Sequence, residues 1–126
     1  MSDRPYQNLV AWKEAYTLSL WVYSVTSKFP SEERHGLTQQ MRRSASSVPI
    51  NIAEGNTKES LKNRARYFEI ALSSLNELHC EMLLSRDLHY LTPEEFARGA
   101  DHLHRVSFLL TRLLQAVRSR ITPRSL

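Results

Sequence analysis

Residues 37–55 read LTQQMRRSASSVPINIAEG and carry two stripes side by side. Leu37, Met41, Ala45, Val48 and Ile52 recur at steps of four and three, the interval at which side chains share one face of an α-helix. Gln40, Arg43, Ser47, Asn51 and Glu54 recur beside them at similar steps. An apolar stripe flanked by a polar one predicts an amphipathic helix over 37–54 laid on a core. Pro49 lies inside it. The hydrogen bond it removes, at a cost of about 3 kcal/mol, predicts a kink there. Gly55 fits a C-terminal stop.

Working outward, residues 61–87 repeat the pattern. After Ser60, the residues Ala65, Phe68, Ala71, Leu72, Leu75, Leu78 and Met82 form a core face. Thr92-Pro93-Glu94-Glu95 then opens a helix over 93–121. Thr92 can cap it, Pro93 suits the first helical position, and Glu95 completes a capping box. Its stripe is Phe96, Ala100, Leu103, Ser107, Leu110, Leu114 and Val117. On the N-terminal side, a polar connector over 31–36 precedes the stripes, and a helix over 9–28 precedes the connector. Asn8 can cap that first helix, and Pro30 ends it.

The first helix is apolar on two faces. Leu9, Trp12, Tyr16, Leu20 and Tyr23 form one; Leu18, Trp21, Val22 and Val25 form the other. Such a helix is expected to be buried on more than one side, which in a small domain points to a partner subunit. Trp21, Val25 and Phe108 lie off the stripes expected to form the core, and are expected at an oligomer interface. Four amphipathic helices joined by short connectors predict an all-α, up-down-up-down four-helix bundle, with residues 1–126 as one domain.

Composition agrees. The chain has 126 residues, of which 41% are hydrophobic and 24% charged, the balance of a globular domain rather than a disordered one. The single Cys80 cannot form an internal disulfide, and no apolar run approaches a membrane span. A cytoplasmic protein that does not enter the membrane is expected. Cys80 itself reads as a buried, inert thiol. A di-iron bundle needs two Glu-x-x-His motifs; the chain has one, Glu32 to His35, in a connector. No metal and no cofactor are expected.

The formal charge is +4, and 13 of the 17 cationic residues are Arg. Arginine suits phosphate, because its planar fork donates two hydrogen bonds at once. Residues 92–126 hold six basic and three acidic groups. Within them Arg98, Arg105 and Arg112 recur every seven residues and predict an outward row on the fourth helix, with Arg118 expected to extend it. That row is the candidate contact for RNA or DNA. The polar stripe Arg43, Ser47, Asn51 and Glu54, with Glu77 opposite, reads as a structural network fixing helix register rather than a catalytic site.

Beyond periodicity, the runs Gly36-Leu37-Thr38-Gln-Gln40-Met-Arg42-Arg43-Ser-Ala45, Ser47-Val48-Pro49-Ile-Asn51-Ile52-Ala53-Glu54-Gly55 and Arg66-Tyr67-Phe68-Glu-Ile70-Ala71 are distinctive. With Leu9-Val10-Ala11-Trp12-Lys13-Glu14-Ala15, they resemble the four-helix-bundle family of 23S ribosomal RNA intervening sequences, also called S23 ribosomal protein. The resemblance covers about residues 6–120. It implies a ring-like homopentamer with no established catalytic activity. It also implies kinship to the accessory variability proteins of diversity-generating retroelements, which are basic and bind nucleic acid and a reverse transcriptase. The expected protein is therefore non-enzymatic. Its partners are expected to be further copies of itself, then RNA or DNA, and a reverse transcriptase or other protein. The alternatives are a purely structural oligomer and an RNase of the HEPN kind, whose Arg and His a few residues apart are similar to Arg98 and His104.

Overall fold

The computed structural model describes residues 4–121. Four α-helices make up almost all of it: α1 (Val10–Thr26), α2 (Leu37–Thr57), α3 (Leu61–Asp87) and α4 (Pro93–Arg118). Short 3-10 turns at Pro5–Asn8 and Ser31–Glu33 precede α1 and α2. Each helix packs mainly on its two neighbours in a square, α1 on α2 and α4, α3 on α2 and α4. The expected all-α, up-down-up-down bundle is what forms.

Sequence explains most of the helix ends. Ser60 Oγ accepts from the Asn63 N–H at the start of α3. Thr92 and Glu95 form the full capping box of α4, with Glu95 N–H donating to Thr92 Oγ1 at 3.0 Å and Thr92 N–H donating to Glu95 Oε1 at 2.9 Å. At the end of α3, Tyr90 N–H reaches Ser85 O at 2.8 Å and His89 N–H reaches Arg86 O at 3.0 Å. That paired pattern needs a left-handed residue, and His89 supplies it with φ 65°.

Expected helix ends shift, most clearly at the start of α1 and the end of α2. Asn8 sits inside the first 3-10 turn, and Leu9, with no side-chain cap, stands at the start of α1. α2 runs unbroken through Pro49 to Thr57, so Gly55 lies within the helix and is not its stop. Gly55 is buried there because a Cβ would fall 2.7 Å from Phe68 Cε1. The glycine lets α2 and α3 approach closely.

The core stripes of α2, α3 and α4 follow the predicted registers, with Val106 added from α4. In α1 the two faces are exchanged. Ala11, Ala15, Leu18, Val22 and Val25 enter the core, while Tyr16, Leu20 and Tyr23 face outward. Small alanines allow close helix packing, and tyrosine hydroxyls need a route to water. Periodicity alone cannot rank two apolar faces.

The two ends of the bundle differ. At the end holding the α1–α2 and α3–α4 connectors, Glu33 Oε1 accepts from Leu37 N–H at 3.0 Å and Glu33 Oε2 accepts from the Tyr90 hydroxyl at 3.0 Å. Lys28 Nζ donates to Glu95 Oε2 at 2.8 Å, and this bond, with the Thr92 backbone, holds the Glu95 carboxyl below its ordinary range. Arg42 reaches from α2 to Thr26 Oγ1 at 2.9 Å and to Tyr23 O at 3.3 Å, satisfying the last turn of α1.

Candidate functional site

The polar stripe of α2 meets α3 as a ladder of contacts. Arg43 donates to Gln40 at 2.6 Å and to Glu77 at 2.9 Å. Ser47 and Ser74 share a hydrogen bond of 2.8 Å, and Asn51 Nδ2 donates back to Ser47 O and Oγ at 2.8 and 2.9 Å. Next to Arg43, Ser44 Oγ donates to Glu81 Oε2 at 3.3 Å, one turn beyond Glu77 on α3. Arg43, Ser47, Asn51 and Glu77 are thus brought to one seam. Glu54 is not; it is exposed and pairs with Lys58 of its own helix end at 3.5 Å. The step from Asn51 to Glu54 turns the side chain about 60° away from the seam.

The residues expected at an interface separate. Val25 is 5% exposed and belongs to the core, so it offers nothing to a partner. Trp21 is half-buried and lies flat against Gly99 of α4, where any Cβ would strike its indole. Both are corrected from surface to intramolecular roles. Phe108 is 59% exposed, with the Arg112 guanidinium 5.7 Å from its ring centroid.

The row on α4 is only partly available. Arg98 and Arg112 are exposed and form no ion pair among the described residues. Arg105 donates to Glu14 Oε1 of α1 at 2.6 Å, and Arg118 pairs with Glu69 of α3. Arg105 therefore leans toward α1 and Arg118 toward α3. Arg118 does not extend the row, because thirteen residues carry it about 140° round the helix from Arg105. His104 approaches His79 of α3, ring centroids 5.7 Å apart, while Arg98 falls about 120° away on the other side. Cys80, expected buried, is exposed on the outer face of α3. Among the described residues, no group of His, Cys, Asp and Glu is placed to hold a metal ion, and no helix is long and apolar enough to cross a membrane.

A groove with an aromatic and aliphatic lining lies where α1 meets α2, at the face whose periodicity suggested a core. Its volume is about 330 Å³. Trp12 stacks on Tyr16 with centroids 4.9 Å apart, and Tyr6 meets Trp12 edge-on at 5.3 Å. Leu20 and Tyr23 continue this wall; Pro49, Ile50 and Ala53 form the opposite one. Tyr16, Leu20, Tyr23 and Ile50 are 47, 56, 45 and 58% exposed. Ser19 lies at the floor, its buried Oγ without a hydrogen-bond partner. The signal for this groove is the five-residue stripe from Leu9 to Tyr23, whose spacing gives its existence but not its direction.

A family model described as 23S rRNA-intervening sequence protein matches residues 7–112. The fold also resembles a crystal structure from Bacteroides thetaiotaomicron VPI-5482, described as a protein of unknown function from the S23 ribosomal protein family. The TM-score is 0.78 at 19% identity, covering 83% of this chain and 98% of the other. No curated protein matches.

Proposed function

Because the chain belongs to the 23S rRNA-intervening sequence protein family, we propose that it is a non-enzymatic bundle that self-associates through the α1–α2 groove and carries nucleic acid on the basic surface of the assembly. The observation that carries this reading is the run of exposed Tyr16, Leu20, Tyr23 and Ile50 around one groove. Contiguous large apolar side chains on a surface mark an interaction site, whereas scattered ones do not.

The occupant we assign is a second copy of this chain. Phe108 is an exposed aromatic that its own bundle leaves uncovered, on the outer side of α4. Groove and projection lie on different faces of one protomer. A contact between unlike faces is head-to-tail; it closes into a ring where the rotation between protomers closes, and runs on as a filament where it does not. Ring closure at five is the number that the family resemblance implies. A repeated basic surface would then strengthen a weak single-subunit contact with a polymer.

Light scattering at micromolar concentration tests the reading. The wild type is expected to run as a multimer, and Leu20→Asp or Phe108→Asp as a monomer with unchanged helical circular dichroism. A monomeric wild type, or a multimer that survives both substitutions, would overturn it.

A further inference from the structure

Charge along α3 is divided sharply. Residues 58–66 hold Lys58, Lys62, Arg64 and Arg66 against Glu59 alone, whereas residues 67–87 hold Arg86 against four acids. Because α3 and α4 run antiparallel, the basic start of α3 lies beside the end of α4, where Arg118 and, in the turn just past it, Arg120 add to it. Opposite charges knit the other end of the bundle together; here cations are left over. Lys62 and Arg66 are exposed, one turn apart, and neither forms an ion pair among the described residues.

Their placement works against the fold. Lys62 stands in the first turn of α3, where the helix dipole disfavours a cation, and that turn holds no acid. Like charges four residues apart on a helix repel as well. Two shallow depressions flank the ridge they make. Lys58, Asn63, Arg66, Tyr67 and Ile70 line one of about 290 Å³; Lys62, Ala65, Glu69, Arg118 and Ile121 line another of about 470 Å³. The first offers an aromatic ring, Tyr67, with Lys58 Nζ 5.1 Å from its centroid.

We infer that this basic pole binds the phosphate backbone of single-stranded nucleic acid, which crosses the Lys62–Arg66 ridge from one depression to the other. The inference rests on the nucleic-acid half of the proposed function and moves the contact from the α4 row to the pole. A rigid duplex touches a narrow convex ridge at few phosphates. A flexible strand bends over it and sets nucleosides into both depressions, with Tyr67 as a stacking surface. Contacts of this kind hold the backbone and read no sequence.

Fluorescence anisotropy with a labelled oligouridine of about 12 nucleotides tests the site, titrated at several salt concentrations from about 50 to 200 mM. Lys62→Ala/Arg66→Ala is expected to reduce the slope of log affinity against log salt by about 1.4, about 0.7 for each phosphate no longer neutralised. Arg98→Ala/Arg112→Ala is expected to leave the slope as in the wild type, and a duplex of equal length to bind more weakly than the single strand. Both variants alter exposed side chains, and circular dichroism checks their fold. A slope that falls with Arg98 and Arg112 but not with Lys62 and Arg66 would overturn the pole and leave nucleic-acid binding standing. No binding by wild type at the lowest salt would remove both. Preference for the duplex would overturn the single-strand assignment. In monomeric Leu20→Asp, the same fall in slope on Lys62→Ala/Arg66→Ala would support the pole independently of assembly.

Discussion

Glu81 sits where α2 and α3 press together, and it is poorly served there. Oε2 accepts from Ser44 at 3.3 Å, while Oε1 is buried with no partner. Burial raises its pKa most; the Ser44 bond and Arg43 pull it down, and Glu77 adds to the rise. A carboxyl whose folded pKa is raised costs nothing while protonated in both states. As pH climbs from the ordinary carboxylate value to the raised one, the unfolded chain ionises first, so folding stability falls across that window. Above it the loss is constant. Glu81→Gln is therefore expected to raise the melting temperature near pH 7.5, with the gain vanishing near pH 3.5. Thermal melts at the two values check this, and an equal gain at both would sink it. At this scale the sequence was legible as a polar stripe. It was not legible that Glu54 would leave the seam for Lys58 while Ser44 and Glu81 entered it, because a few tens of degrees of helix rotation decide which side chains meet.

Between elements, two glycines set how closely helices meet. Gly55 admits the Phe68 ring and Gly99 admits the Trp21 indole. In an exposed helix interior, Gly→Ala gains about 1 kcal/mol. At position 99 the added methyl must displace a tryptophan, and overpacking of that kind costs about 1–3 kcal/mol. We expect Gly99→Ala to lower stability by about 1 kcal/mol net in urea titration. Trp21→Leu in the same background should return part of the loss. If Gly99→Ala were stabilising, the α1–α4 seam would be looser than described. Glycine near the end of an apolar pattern signals a stop or a close approach with equal force. Only the partner across the seam, Phe68 or Trp21, decides between them, and that partner is fixed by tertiary packing rather than by the local pattern.

Over the whole molecule, fold and topology were readable because helix length, capping and connector length all favoured one arrangement. Thr92 with Glu95, Ser60 and the stripes of α2, α3 and α4 agree with one another at every level. The surfaces proposed for binding were less readable, for a geometric reason. A doubly apolar α1 supports two orientations, and the choice turns on which face meets the neighbouring helices. The basic pole was hidden in a balanced count, because residues 58–91 hold five cations and five anions. A finer division along α3 separates these charges, and the antiparallel packing of α3 and α4 brings the cations at the end of α4 to the same pole.

The two tryptophans stand on different surfaces, one in the groove proposed for self-association and one in the α1–α4 seam. Trp12 is part of the groove wall, while Trp21, half-buried, packs on Gly99 in the α1–α4 seam. Their emission is thus a built-in pair of probes that needs no label. In Trp21→Phe the remaining indole should shift its spectrum as protomers dilute apart. In Trp12→Phe it should stay silent to dilution and respond only when the bundle itself unfolds. Assembly and folding, which a single melting curve merges, can be followed separately in one cuvette.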